Sequence, residues 1–480
     1  MRLVLRSLPA AAVAIAALSA GAAGAADRAG EIDLLLGRYH ALGQLNGTAL
    51  VAVHGTTILA RGYGLANAEW GIANAPDTRF RLGSITKQFT SMLIMQLVQE
   101  GKLATATTLA DALPYYRKDT GARVTIRQLL SHTSGIPSYT AQPGFFANVS
   151  RNRFATEEFV TTYCSGDLEF DPGTSYRYDN SGYFILGAVI ERATGKPYEV
   201  ALKERILDPL GMADTGYDHF ETVLARRATG YERTPAGLHT AAYLDMSIPG
   251  GAGGLYSTVE DLARWDRALY GDALLAPALK TEMLTPVLSG YAYGWSVRPA
   301  PDGSGRTLVW HGGGINGFSS LIWRVVDDRT LIVLLNNTGE APLEAIAAGI
   351  LDVLAGRTPP APKRPIVGEL ATVLEARGAE AAAARYRELR TKEPDAWDFG
   401  EEQLNLLGYQ LLGAGKVDAA LAVFTLNVES YPKSANAYDS LAEAEMAAGT
   451  REQAIRDYAR SLELDPHNTN AIDQLLKLKK

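Results

Sequence analysis

Four pairs of like residues in the last quarter of the chain stand 34 positions apart: Gly415 and Gly449, Pro432 and Pro466, Ala420 and Ala454, Phe424 and Tyr458. A fixed period of this length means one supersecondary unit copied along the chain, each copy stacked on its neighbour to bury an apolar face. The two clear copies are "LLGYQLLGAGKVDAALAVFTLNVESYP" and "LAEAEMAAGTREQAIRDYARSLELDP". Each reads as a helix, a glycine-containing turn, a second helix and a closing proline. Upstream lies "GRTPPAPKRPIVGEL", where Pro359, Pro360, Pro362 and Pro365 forbid a continuous helix or a central strand and make a stiff linker. The 480 residues therefore divide into a mixed region, a linker over 357–366 and a helical region over 367–480.

The helical copies resemble the tetratricopeptide repeat, with small residues at Gly408, Ala420, Ala442 and Ala454 and closing prolines at Pro432 and Pro466. "LEARGAEAAAARYRELRTKEP" reads as a degenerate earlier copy, and Ala471 to Lys480 as a terminal capping helix. The resemblance implies an all-α repeat domain that could receive a protein partner. Two clear copies serve equally well to brace the domain before them, since solenoids usually need three or more repeats for a binding surface of their own.

The amino terminus, "MRLVLRSLPAAAVAIAALSAGAAGAADRAG", has a basic start at Arg2 and Arg6, an apolar stretch, and small residues around Ala23-Gly24-Ala25. That is the pattern of a signal peptide over 1–26, and it predicts an exported, periplasmic or secreted protein with no membrane span after cleavage. Cleavage removes two of the 46 basic residues and none of the 53 acidic ones, so the net charge moves from −7 to −9. With no basic run either, nucleic acid is excluded as a partner. Cys164 is the only cysteine, which rules out an intramolecular disulfide and thiolate zinc sites. The seven histidines show no metal-ligand spacing, so neither a metal nor another cofactor is expected.

Residues 27–356 alternate strand and helix patterns. "GTALVAVHGTTILARGYGLAN" predicts a hairpin turning at Gly55, and "RTLVWHGGGINGFSSLIWRVVDDRTLIVLLNN" predicts three strands. Strands from both ends would form one sheet, with helices inserted between them, including one from Ser84 to about Glu100.

No G-x-S-x-G elbow occurs, so the α/β-hydrolase arrangement is not indicated. Three other stretches could carry chemistry. In "FRLGSITKQF", Ser84 and Lys87 share one helical face at the helix start, where the dipole and free N–H groups favour an oxyanion and a neutral lysine. The same spacing at Ser430 is interrupted by Pro432, which cannot sit inside a helix. In "YRYDNSGY", Tyr178 offers a phenol and Asn180 an amide, on a segment whose prolines and glycines predict a loop. In "VWHGGGINGF", His311 stands at a strand end before glycines that allow close approach of a substrate and leave an N–H free for an oxyanion. Taken singly, each stretch reads as well as a cap, a turn or a bulge. His132 and Ser134, two apart, point to different sides and read as loop-shaping residues.

Together, S-x-x-K on a helix, Y-x-N on a loop and [HK]-x-G on a sheet edge, in that order, resemble the serine β-lactamases and penicillin-binding proteins. The likeness is to the class C branch, which includes D-amino-acid peptidases and β-lactamase-fold esterases. "IRQLLSHTSGIPSY" and "GGAGGLYSTVEDLARW" match that branch as well. The resemblance implies an α/β fold, an antiparallel sheet flanked by helices plus an all-helical subdomain. It also implies hydrolysis through an acyl-enzyme, with Ser84 as nucleophile, Lys87 as its proton partner and Tyr178 as general base and acid. Asn180 would hold a substrate amide or Lys87. The oxyanion hole would be the N–H groups of Ser84 and Gly314, with His311 and Gly313 beside the substrate. Lysine stands in β-lactamases where this chain has His311; a mostly neutral imidazole holds a carboxylate less firmly. That favours an ester, or a small peptide with a D-residue, over a β-lactam. The alternatives are a true β-lactamase or D-alanyl-D-alanine carboxypeptidase and, in another class, a repeat-mediated binding protein whose hydrolase domain is a scaffold.

Overall fold

The computed structural model describes residues 27–234, 237–466 and 468–478; the expected signal peptide, 1–26, lies outside them. The chain forms two compact units, one of residues up to Glu232 with Thr240–Pro360, the other of Arg233–His239 with Ala361–Lys480.

The first unit is built on a six-stranded antiparallel sheet. Its strands are β1 (Gly47–Val53), β2 (Thr56–Tyr63), β3 (Ser296–Pro299), β4 (Thr307–Ile315), β5 (Phe318–Val325) and β6 (Thr330–Asn336), in spatial order β3-β4-β5-β6-β1-β2. The two ends of the segment meet where β1 pairs with β6, Gly47 opposite Asn336 and Leu50 opposite Val333. The central strands are buried on both faces, which is why they read as nearly continuous apolar runs. In β6, Ile332 and Leu334 join Val51, Leu321 and Trp323 on one face, covered by α1 (27–41) through Ile32 and Leu36. A later helix, Leu343–Leu354, adds Ile346 and Ile350 to that face. On the other face Leu331, Val333 and Leu335 join Leu50 and Ile322 beneath the helix Val259–Tyr270, in a core continued by α2 (Thr86–Gln99) and α3 (Asn180–Thr194). The hairpin turn places Gly55 at φ +76°, a conformation that an L side chain resists.

The second unit holds a helical series in which the 34-residue period reappears as geometry. Helices Glu401–Gly413 and Ala435–Ala447 start 34 residues apart, as do Val417–Ser430 and Arg451–Leu464. Gly415 and Gly449 close the equivalent turns at φ +73° and +79°. A Cβ on Gly408 would lie 2.5 Å from the Phe424 ring, so glycine there is a packing requirement. The linker ends one residue earlier than the proline pattern suggests: Arg364–Pro365 pair with Trp397–Asp398, and Ile366 begins a helix fully buried. Proline at 365 cannot donate to a ladder but suits the residue before a helix, and the apolar side chain after it enters the core.

Candidate active site

Ser84 lies in a single helical turn, Gly83–Ile85, that runs straight into α2. The turn needs glycine at 83, whose φ is +53° and where a Cβ would meet the Gly314 backbone at 2.8–3.0 Å. Three residues on, Lys87 enters the interior with no exposed surface. Its Nζ donates to Ser84 Oγ at 3.0 Å, to Asn180 Oδ1 at 2.8 Å and to the Ala252 carbonyl at 2.9 Å. Burial lowers the lysine's pKa from 10.5 to about 7, with the nearby Asp179 carboxylate pulling partly the other way. A buried ammonium is penalised because no water solvates it, so near neutral pH much of this lysine is an amine with a free lone pair beside a hydroxyl.

Tyr178 stands on an irregular segment, as its sequence suggests, whereas Asn180 is the first residue of α3 rather than a loop residue. The helix starts there because Asp179 caps it, its carboxylate accepting the Gly182 N–H. Asn180 is thereby fixed from several sides: its N–H donates to Ser138 Oγ and its Nδ2 to Thr140 Oγ1, both at 3.1 Å, leaving Oδ1 on Lys87. Tyr178 is 36 % exposed, but its phenol is held among dense protein that raises its pKa well above 10, offset in part by a hydrogen bond with the Ser84 hydroxyl. Lys87 Nζ lies 4.8 Å from the centre of its ring.

The glycines of β4 run beside the Ser84 turn. A Cβ on Gly313 would fall 2.0 Å from the Leu82 carbonyl and 2.4 Å from Ser320 Oγ, so only glycine lets the strand come this near. Ser320 Oγ donates to the same carbonyl at 2.7 Å, joining β5 to the turn. His311 sits behind them at 6 % exposure. Its Nδ1 is 2.5 Å from the Gly312 carbonyl, which only accepts, so the ring proton is on Nδ1, and the bare Nε2 accepts from the Tyr291 hydroxyl at 2.9 Å. Burial, then the Lys87 charge, lowers its pKa to about 3, so it is neutral. The sequence placed His311 at the substrate; with both nitrogens occupied it has no donor left to offer one.

Ser84, Asn180 and Gly314 open onto a cleft of ≈ 470 Å³. Its wall carries Tyr139, Phe145, Phe146, Leu244, Ile248 and Ile315, and no charged side chain lines it. Several contributors were not legible in the sequence. The Ala252 carbonyl on Lys87 lies within "GGAGGLYSTVEDLARW", whose family match was the one available hint; Tyr291 and the aromatic wall gave none. Ser430 ends its helix with Pro432 two residues beyond, in the other unit, as expected. Among the described residues no cluster of histidine, cysteine, aspartate and glutamate is placed to hold a metal, and no helix is long and apolar enough to cross a membrane.

The chain is similar to several known proteins. Penicillin-binding protein 4* of Bacillus subtilis is 31% identical over 361 residues, covering 69% of this chain and 76% of that protein. Esterase EstB of Burkholderia gladioli is 29% identical, covering 60% and 85%. Among solved structures, the D-amino acid amidase of Ochrobactrum anthropi superposes with a TM-score of 0.61 at 25% identity, over 69% of this chain and 99% of that one. The penicillin-binding protein homologue of Pyrococcus abyssi gives 0.60 at 26%, over 72% and 81%. Residues 32–356 match the Beta-lactamase family along almost the whole first unit, and the chain belongs to that family.

Proposed function

We propose that the chain is an exported serine hydrolase that cleaves an uncharged ester or amide, including the amide of a D-residue, through an acyl-enzyme on Ser84. The observation that carries this reading is Lys87: buried, 3.0 Å from Ser84 Oγ, with a pKa of about 7. Of the two candidate bases Lys87 is the one free of its proton near neutrality, since the Tyr178 phenol is held well above 10. Ser84 Oγ attacks the substrate carbonyl carbon as its proton passes to Lys87 Nζ. The oxyanion takes the N–H groups of Ser84 and Gly314. As the carbonyl re-forms and the bond to the leaving group breaks, the Tyr178 phenol protonates that group and recovers a proton from the Lys87 ammonium. Water, its proton passing to Lys87 Nζ, then attacks the acyl carbon; the bond to Ser84 Oγ breaks as Oγ takes that proton from Lys87, and the acid leaves.

Two features favour uncharged substrates. The cleft wall is mostly apolar and carries no charged side chain, and His311, where a cation would meet a carboxylate, is neutral with both nitrogens engaged. A true β-lactamase or D-alanyl-D-alanine carboxypeptidase has to hold a carboxylate, so that alternative ranks second. The names of the similar esterase and D-amino acid amidase point the same way. A pure scaffold fits poorly with a serine, lysine, asparagine and tyrosine held in mutual contact. In this reading residues 1–26 are removed on export, and the tetratricopeptide-like residues 367–480 receive a protein partner.

Turnover of a short-chain nitrophenyl ester against a chromogenic cephalosporin, with Ser84→Ala as control, separates the alternatives. Ester turnover that vanishes in Ser84→Ala, with a covalent phosphonate adduct on Ser84 of the unmodified protein, is the expected result. Activity surviving in Ser84→Ala overturns the mechanism.

A further inference from the structure

His132 lies outside the set of residues that would touch a substrate, yet it holds the chain on both sides of Tyr178. Its carbonyl accepts the Arg177 N–H at 3.0 Å. Its Nδ1 is 3.2 Å from both the backbone N and the Oδ2 of Asp179, so in either ring tautomer this nitrogen is bonded to Asp179: bare, it accepts the N–H, and protonated, it donates to the carboxylate. Residues 177 and 179 are thus tied to one histidine, and Tyr178 is the residue between them. The imidazole also packs against the Tyr178 ring, centroids 4.3 Å apart, and against Tyr291 at 4.6 Å and Tyr183 at 5.1 Å.

Three further facts set this histidine apart from ordinary core filling. It has no exposed surface, and burial lowers its pKa against the opposing pull of the Asp179 carboxylate. Its Nε2 is buried without a hydrogen-bond partner among the described residues, a cost that apolar filling would avoid. Its φ is +56°, which few side chains tolerate and which persists where surroundings enforce it. That backbone conformation turns the carbonyl and the ring toward the same segment.

We propose that His132 is a positioning residue for the Tyr178 phenol: by bonding to Arg177 and Asp179 and packing on the tyrosine ring it fixes the phenol against Ser84. The inference rests on the hydrolase reading above, with Tyr178 as proton donor to the leaving group. A phenol set loose by about 1 Å costs on the order of 10²-fold in rate, and the loss falls on kcat, because the histidine does not reach the cleft.

Substitutions that separate the backbone from the ring test this. Glycine accepts φ +56° freely but removes Nδ1, whereas asparagine tolerates that φ and presents an oxygen or an amide nitrogen near the position of Nδ1. His132→Gly should lower kcat for the nitrophenyl ester about 10²-fold with KM within about threefold, and His132→Asn should recover at least tenfold of the loss. In a Tyr178→Phe background the glycine substitution should cost less than about threefold more, because the group being positioned is already gone. If His132→Gly does not fold, His132→Asn carries the same cycle: whatever loss it shows should fall below about threefold in the Tyr178→Phe background. Equal losses in the asparagine and glycine variants, or a full additional loss in Tyr178→Phe, overturn the proposal. Failure of the hydrolase reading shows differently, as absence of Ser84-dependent turnover in the unmodified protein.

Discussion

Replacing Lys87 by methionine should abolish turnover while making the protein more stable at pH 6 and less stable at pH 9. The amine is fully buried, and its pKa falls from 10.5 to about 7 because burial penalises the charged form. One pKa unit corresponds to about 1.36 kcal/mol, so below pH 7 keeping the ammonium inside costs about 5 kcal/mol. The direction with pH follows from proton counting. Between about pH 7 and 10.5 the unfolded chain holds a proton on this lysine that the folded chain lacks, so stability rises with pH through that window. The cost is about 5 kcal/mol at pH 6, about 2 kcal/mol at pH 9, and disappears above 10.5. Methionine fills similar volume without charge but gives up the hydrogen bonds to Ser84, Asn180 and Ala252, about 1 kcal/mol each. The variant should therefore gain about 2 kcal/mol at pH 6 and lose about 1 kcal/mol at pH 9. Urea denaturation followed by tryptophan fluorescence reads this, since five of the six tryptophans, all but Trp397, lie in the first unit. A stability difference that stays the same at the two pH values refutes the buried-amine argument, and with it the reason for naming Lys87 as base.

The same argument expects kcat/KM of the unmodified protein to rise with pH through a midpoint near 7, where Lys87 loses its proton; a profile flat from pH 5.5 to 8.5 contradicts it. Gly313→Ala should push β4 away from the Ser84 turn, because the added methyl falls 2.0 Å from the Leu82 carbonyl; esterase activity should drop by about 10²-fold, measured on the folded fraction. Asp266→Ala should destabilise by about 3–5 kcal/mol, read by urea denaturation, since it strands a buried arginine: Arg324 Nε donates to Asp266 Oδ1 at 2.6 Å, the two being 1% and 3% exposed. Phe146→Ala, on the cleft wall, should lower kcat/KM for a hexanoate ester about tenfold relative to an acetate ester.

The chain's own residues determined a good deal. Alternating apolar residues around Gly55 specified the first hairpin, because glycine takes the positive φ of its turn and the side chains of a strand alternate between faces. The 34-residue period specified equivalent helices, because small residues must recur wherever neighbouring helices touch, as Gly408 touches Phe424. Motif order picked Ser84 over Ser430. What the sequence could not carry is everything set by residues far apart in the chain. The surroundings that make Lys87 the proposed base arise because α2 is buried and because Asn180 and the Ala252 carbonyl, 93 and 165 residues away, meet its nitrogen. His311 passes from expected substrate contact to enclosed, neutral ring because Tyr291 occupies Nε2 and its own neighbour's carbonyl takes Nδ1. His132, dismissed from its spacing to Ser134, acquires a bearing on Tyr178 only through a turn 45 residues downstream. Local pattern fixes φ, periodicity and which residue types stand together; desolvation and hydrogen-bond partners, which set pKa and reactivity, belong to the packed whole.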